Sequence, residues 1–227
     1  MRIDLNADLG EGVTDDAGLM GVVTSANLAC GFHAGDEATM REVCLAAAHT
    51  GVVIGAQVSY DDREHFGRRH LDVDPDVLTG WVATQVEVLS RIAGECGTRV
   101  AYVKPHGALY NRVVDDEEQA GAVLRGSGRL PVLGLPGSAV LRLAAGAGRR
   151  GVREGFPDRG YTDAGRLVPR DQQGALVEGE GAIAQNAVAM AGDVESLCVH
   201  GDSEGAVEAA QAVRAALEGA GYDVTPW

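Results

Sequence analysis

Lysine occurs once in these 227 residues, at position 104, against eighteen arginines. It stands in Val103-Lys104-Pro105-His106-Gly107-Ala108-Leu109-Tyr110-Asn111, beside a histidine and at the end of an apolar run. Guanidinium and ammonium are not interchangeable where a compact, hydrogen-bonding point charge is needed. A composition that otherwise uses only arginine therefore points to a specific task at Lys104. Asp4, Asn6 and Asp8 alternate and share one face of a strand, with Ile3, Leu5 and Ala7 on the other. Tyr102, Lys104 and His106 share a face in the same way, as do Cys198, His200 and Asp202. Carboxylates, one ammonium and two imidazoles in a single cavity would couple their ionisations and bring them toward neutrality, as proton transfer requires. Burying the Asp4–Asn6–Asp8 face is costly unless cations or donors meet it. The bland alternative is an exposed edge strand whose polar face is solvated.

Other candidates are less specific. Cys30, in Ala29-Cys30-Gly31-Phe32-His33, has the reactive atom of a nucleophile, but buried thiols are usually inert. His33, Asp36 and His106 are of metal-ligating type, yet no HxxxH or HExxH spacing joins them, so no metal is expected. His49 falls inside a helical pattern and His65 and His70 in a charged loop, which reads as surface. Gly67-Arg68-Arg69 offers guanidinium groups to an anion. No GxxxxGK[ST] motif is present for phosphate binding. His106-Gly107 and His200-Gly201 each place a flexible residue after an imidazole, consistent with close substrate approach.

The elements that must position these residues alternate from end to end. Strands are expected at Arg2–Ala7, Ser25–Cys30, Val52–Gln57, Arg99–Lys104, Leu130–Leu135, Val152–Phe156 and Glu195–His200. Between them lie helices. Asp36 can cap one with Met40, Val43, Cys44, Ala47 and Ala48 on one stripe. Asp74-Pro75 starts another. Asp115 with Glu118 resembles a capping box, and Ser203 leads into a last helix lined by Ala206, Ala210, Val213 and Leu217. Strict alternation implies parallel strands with crossover helices, hence a doubly wound sheet or a closed barrel. No repeat or linker divides the chain, so one domain over 1–227 is expected. Nearly every unusual polar residue falls where an apolar run stops, at the C-terminal edge where such folds assemble their sites.

A net charge of −14 argues against nucleic acid or an anionic membrane as partner. The four cysteines form no CxxC pair, so neither a zinc knuckle nor a disulfide framework is suggested. With no signal-peptide pattern and no apolar run of membrane length, the cytoplasm is the expected location.

Taken together, the segments Asp4-Leu5-Asn6-Ala7-Asp8-Leu9-Gly10-Glu11, Ser25 through Asp36 and Val103 through Asn111 resemble the LamB/YcsF family, the A subunits of bacterial ATP-dependent 5-oxoprolinase. So do Phe66-Gly67-Arg68-Arg69, Asp158-Arg159-Gly160-Tyr161, Leu167-Val168-Pro169-Arg170 and Cys198-Val199-His200-Gly201-Asp202. The resemblance implies an irregular seven-stranded (β/α) barrel of TIM-barrel type, related to glycoside hydrolase and deacetylase barrels. It further implies a hydrolase that opens the lactam of 5-oxoproline to L-glutamate while ATP is hydrolysed, acting with partner subunits B and C. ATP, with or without magnesium, is then a co-substrate, no tightly bound cofactor is expected, and self-association stays open.

On that reading Asp8 or Glu11 serves as base for water and His106 or His200 carries a proton to nitrogen. Lys104 holds developing phosphate charge or the substrate carboxylate, which Arg159 and Arg170 clamp. Asn6, Asn27, His33, Tyr110 and Asp202 complete the substrate-binding set. Two rivals remain: a metal-dependent amidohydrolase or deacetylase on the same barrel, and a non-catalytic component that presents substrate to partners. The chain also departs from the family pattern. Gln57-Val58 stands where His-Pro is usual before Ser59-Tyr60, Pro157 replaces a small residue, and the chain is shortened around Val113–Arg129 and between Ala191 and Glu195. If the usual histidine carried a metal or protons, Gln57 weakens or reroutes that function, and a diverged or partly inactive paralogue is an open alternative.

Overall fold

The alternating first segment forms strand β1, Arg2–Leu9, in the computed structural model, which describes residues 1–13, 15–201 and 205–227. Both faces of β1 are buried, as a central parallel strand requires. Further strands are β2 (Ser25–Ala29), β3 (Val53–Val58), β4 (Val100–Pro105), β5 (Val132–Gly134), β6 (Gly151–Gly155) and β7 (Ser196–Val199). Each pairs in parallel with the next, and β1 pairs with both β2 and β7, so seven strands close into a barrel. Asp8 stands level with Asn27 on β2, and Asn6 level with Cys198 on β7. The closure is uneven, for β4 and β5 share one paired position, Val103 with Val132. A short strand β8, Asp223–Val224, pairs with the start of β1.

Crossover helices surround the barrel: α1 (Asp16–Met20), α2 (Glu37–Thr50), α3 (Pro75–Glu95), α4 (Gly107–Arg112), α5 (Glu117–Gly126), α6 (Ala139–Gly146), α7 (Glu180–Met190) and α8 (Ala206–Gly219). Local chemistry sets their ends. Asp36 accepts the Thr39 amide and caps α2, and Asp74 accepts the amides of Asp76 and Val77 ahead of α3, with Pro75 first in the helix. The cap of α5 is Asp116 rather than Asp115. Asp116 accepts from the Glu118 and Gln119 amides, while Asp115 turns away to pair with Arg166. On α2, Met40, Val43, Cys44 and Ala47 are buried but Ala48 is exposed, so the core stripe is one residue narrower than its spacing implied. Ser203, expected to open α8, lies outside the described residues.

The large apolar core fills the space between sheet and helices. Inside the barrel, a floor of Tyr102, Leu133 and Val152 is closed by Trp227, whose ring lies 5.6 Å from that of Tyr102. Gly55 makes room for this floor, because a Cβ there would lie 2.1 Å from the Tyr102 ring. Among the described residues, no helix is long and apolar enough to cross a membrane.

Candidate active site

Side chains that alternate inward from β1 meet those of every neighbouring strand. Lowest is Asp4, which accepts hydrogen bonds from the hydroxyls of Thr24 (2.6 Å), Ser25 (2.7 Å) and Ser196. Burial raises the Asp4 pKa, and the three hydroxyls only partly offset that effect. One layer up, Asn6 donates to Ser196 Oγ (2.6 Å) and Glu154 Oε1 (3.1 Å). Asn27 donates to Asn6 Oδ1 (2.7 Å) and Asp8 Oδ1 (2.8 Å), and accepts from the Tyr102 hydroxyl (2.7 Å). The exposed-edge alternative for β1 is thereby excluded, since partners from the neighbouring strands satisfy its polar face.

Lys104 is the single ammonium of this interior and is 2% exposed. Its Nζ lies 3.1 Å from Asp8 Oδ1, 2.9 Å from Glu154 Oε1, 3.0 Å from Cys198 Sγ and 3.3 Å from Asn6 Oδ1. Burial alone would depress the Lys104 pKa, but Asp8, Cys198 and Glu154 together hold it well above the usual lysine value. Burial pushes the Asp8 carboxyl up; the Lys104 ammonium overrides it, and the pKa lies well below the carboxylate range. Asp8 is thus an ionised carboxylate at the bottom of a cavity, and the coupling drives the Asp8 and Lys104 pKa values apart rather than toward the neutrality expected of a shared cavity. Lys104 has three N–H groups and four protein acceptors, so its geometry is that of a group that fixes Asp8.

Above this layer opens a cavity of about 560 Å³, lined by Asp8, Lys104, His106, Tyr110, Phe156, Arg159, Arg170 and His200 among others. Seven of the residues singled out from the sequence therefore share its wall. Tyr110, on α4, lies beside Glu154, and burial first, then that carboxylate, push its phenol well above the usual range, so it stays neutral. His200 follows β7, and its Nδ1 lies 2.8 Å from Asp158 Oδ2, which also accepts the His200 amide. Burial opposes ionisation of Asp158, but His200 and its hydrogen bonds win and lower the pKa. A carboxylate on Nδ1 fixes the ring's tautomer and leaves Nε2 as the nitrogen for proton exchange. Arg159 donates through Nε to Ala175 O (2.9 Å) and through Nη2 to Val168 O (2.7 Å), so it braces the 159–176 loop as well as lining the cavity. Arg170 is exposed at the rim. Asp202 lies outside the described residues.

Glu11, His33 and His106 form a second group beside Asp8, and Gln57 stands among them. Gln57 Nε2 donates to Glu11 Oε1 (2.8 Å) and lies 2.9 Å from His106 Nδ1, while its Oε1 is 3.1 Å from His33 Nε2. His106 Nε2 lies 3.1 Å from Phe66 O, so both nitrogens of this ring are engaged. The two imidazoles stack with centroids 4.1 Å apart. Burial, then the neighbouring His106, lower the His33 pKa to about 4 and keep it neutral. Gly67 permits the packing, since a Cβ at its φ of +67° would strike Ser59 Oγ at 2.2 Å and crowd His33. Gly107 likewise has Gly67 O where its Cβ would be, at 2.4 Å, so its smallness serves loop packing rather than substrate approach. Asp36, considered with His33 and His106 as a ligand, is an exposed helix cap and stays out of this group. Burial drives the Cys30 thiol above its ordinary range, as expected of an inert cysteine.

Two residues outside the sequence-derived set prove central. Glu154 shares the inward face of β6 with Val152, while Arg153 points out to Glu195; that alternation was the available signal. Asp158 is the partner of His200, which only the fold reveals, because 42 residues separate them.

Comparison with known proteins agrees with this architecture. Residues 3–227 match the pattern of the LamB/YcsF family. A Streptomyces avermitilis protein, named as the A subunit of 5-oxoprolinase, is 55% identical, with 98% of each chain covered. One of the same name from Mycobacterium marinum is 49% identical over 98% of this chain and 97% of its own. Among solved structures, a lactam utilization protein from Thermus thermophilus superposes with a TM-score of 0.93 at 35% identity, covering both chains fully. A family 4 carbohydrate esterase from Streptomyces lividans, 13% identical over 98% of this chain and 91% of its own, shares the barrel alone, with a TM-score of 0.58. With its seven-stranded barrel, inward polar layers and full-length match, the chain belongs to the LamB/YcsF family.

Proposed function

We propose that this chain is the A subunit of an ATP-dependent 5-oxoprolinase, a hydrolase that opens the lactam of 5-oxoproline to L-glutamate. The observation that carries the reading is the 55% identity, over 98% of both chains, to a protein named as the A subunit of 5-oxoprolinase. That designation of the relatives implies partner chains, and subunits B and C complete the enzyme in this proposal.

The lactam lies in the cavity above Asp8. An unstrained five-membered lactam is a poor electrophile, and transfer of phosphate from ATP to its oxygen makes the ring carbon reactive. Water then adds to that carbon as Asp8 takes its proton. Asp8 passes that proton to solvent and takes the adduct's hydroxyl proton as the ring C–N bond breaks, with His200, oriented by Asp158, delivering a proton to nitrogen. The acyl phosphate left behind is hydrolysed by a second water. Lys104 acts through Asp8, holding it ionised and aimed, while Glu154 balances the ammonium from the far side. Tyr110, Arg159 and Arg170 supply donors on the cavity wall for the substrate carboxylate and the transferred phosphate. Glu11, His33 and His106 support the wall next to Asp8.

Co-purification of the chain with its partners, followed by measurement of glutamate release from 5-oxoproline with and without ATP, tests the proposal. Release that needs ATP and the whole complex is expected. ATP-independent cleavage by the isolated chain would replace it with the amidohydrolase reading. Full turnover after loss of both Asp8 and His200 would leave only a presenting role.

A further inference from the structure

Glu11, His33 and His106 have no place in the bond-breaking steps, yet they are arranged as metal ligands are. One atom from each (Glu11 Oε1, His33 Nε2 and His106 Nδ1) lies within 4.8 Å of the others, and all three residues are buried. Glu11 Oε1 is 3.8 Å from His33 Nε2 and 3.6 Å from His106 Nδ1. Zinc bonds of about 2.1 Å place tetrahedral ligands about 3.4 Å apart, so small movements would let the three share one ion. His106 has its other ring nitrogen against the Phe66 carbonyl, the outer partner that ligating histidines commonly use to fix their tautomer.

The Gln57 carboxamide lies at the convergence point of these atoms. Its nitrogen is 2.8 Å from Glu11 Oε1 and 2.9 Å from His106 Nδ1, and its oxygen is 3.1 Å from His33 Nε2. All three would-be ligands thus spend a hydrogen bond on one amide. His106 Nε2 donates to Phe66 O, which leaves Nδ1 as an acceptor, so turning the amide over would set its oxygen against both the Glu11 carboxylate and this ring lone pair. The amide is therefore assigned with its nitrogen toward Glu11 and His106.

We propose that Glu11, His33 and His106 form a zinc-type divalent-metal site that the Gln57 carboxamide holds shut. An ion and the amide nitrogen compete for the same lone pairs on Glu11 and His106. In this chain the amide takes them, and the cluster is a hydrogen-bonded brace beside Asp8. Shortening Gln57, or replacing it with a fourth ligand, opens the site. This inference stands apart from the reaction assigned to the barrel.

The test is Co²⁺ titration of the full-length chain after chelator treatment, read by the visible d–d spectrum and by the metal-induced change in Tm. Gln57→His and Gln57→Ala are expected to bind one Co²⁺ per chain, on the order of a hundredfold more tightly than wild type, the scale on which ligand surroundings alter metal affinity. Glu11→Gln added to either variant is expected to abolish that binding. A variant that does not purify folded is refolded with and without Co²⁺; recovery only with metal supports the proposal. Wild type binding Co²⁺ through Glu11 as tightly as the variants would overturn it. So would failure of both variants to bind or to be recovered by metal.

Discussion

Replacing Lys104 with methionine keeps most of the side-chain volume and removes the ammonium that faces Asp8 and Glu154 in the barrel. Both carboxylates are buried, with oxygens 3.1 Å and 2.9 Å from Nζ. Removing one partner of a buried ion pair costs about 3–5 kcal/mol because the remaining charge is left uncompensated. For a chain of this size a urea slope of about 3 kcal/mol/M applies, so the unfolding midpoint should fall by more than about 1 M. The pH dependence carries a sharper signature. In wild type the Asp8 carboxyl is held below its unfolded value, so its contribution is present above the unfolded pKa and is lost as pH falls through the folded one. Without Lys104, burial dominates and the carboxyl is raised above its unfolded value, so through this group the variant gains stability relative to wild type as pH falls. The gap between wild type and Lys104→Met, measured by urea unfolding from pH 8 to pH 5, should therefore narrow. A loss under about 1 kcal/mol, or a gap that widens on acidification, would show that Lys104 does not hold this layer together.

Three further outcomes are expected. Because His33 is held from 6.5 down to about 4, the unfolded chain takes up its proton first on acidification, and wild type should lose about 2 kcal/mol between pH 7 and pH 5 in chelating buffer; His33→Asn should flatten that part of the urea-derived profile. Gly55→Ala drives a methyl into the Tyr102 ring and should lower stability by about 2–3 kcal/mol in thermal or urea unfolding, with partial relief from Tyr102→Leu. Asp158→Asn removes the carboxylate on His200 Nδ1, and 5-oxoproline turnover by the assembled enzyme should fall on the order of tenfold to a hundredfold with KM little changed.

Much of this organisation is legible in local pattern. The period-two alternation of Asp4, Asn6 and Asp8 implies an inward polar face, and the lone lysine marks the cation that meets it. Strand ends collect the chemistry because parallel strands all point one way. What pattern cannot show is which strand end faces which. The Asp158–His200 pair depends on the β6 and β7 tips closing on one another, and although alternation along β6 marks Glu154 as inward, only closure of the barrel brings it to Lys104. Gln57 is visible as a departure from the family pattern, but its three simultaneous contacts follow from β3 lying between the loop that carries His33 and the end of β4. Asp36 and Asp115 differ in outcome. Asp36 is the cap of α2 that its position implied, which takes it away from His33 and His106, whereas Asp115 gives the cap of α5 to Asp116 and pairs with Arg166.

The most direct measurement is steady-state glutamate release from 5-oxoproline by the assembled enzyme carrying Asp8→Asn, a near-isosteric change that removes only the ionised oxygen above Lys104. Turnover lower by about a hundredfold to ten-thousandfold, with the complex still assembling, is the expected result. Turnover equal to wild type would place the lactam chemistry somewhere other than the top of this barrel.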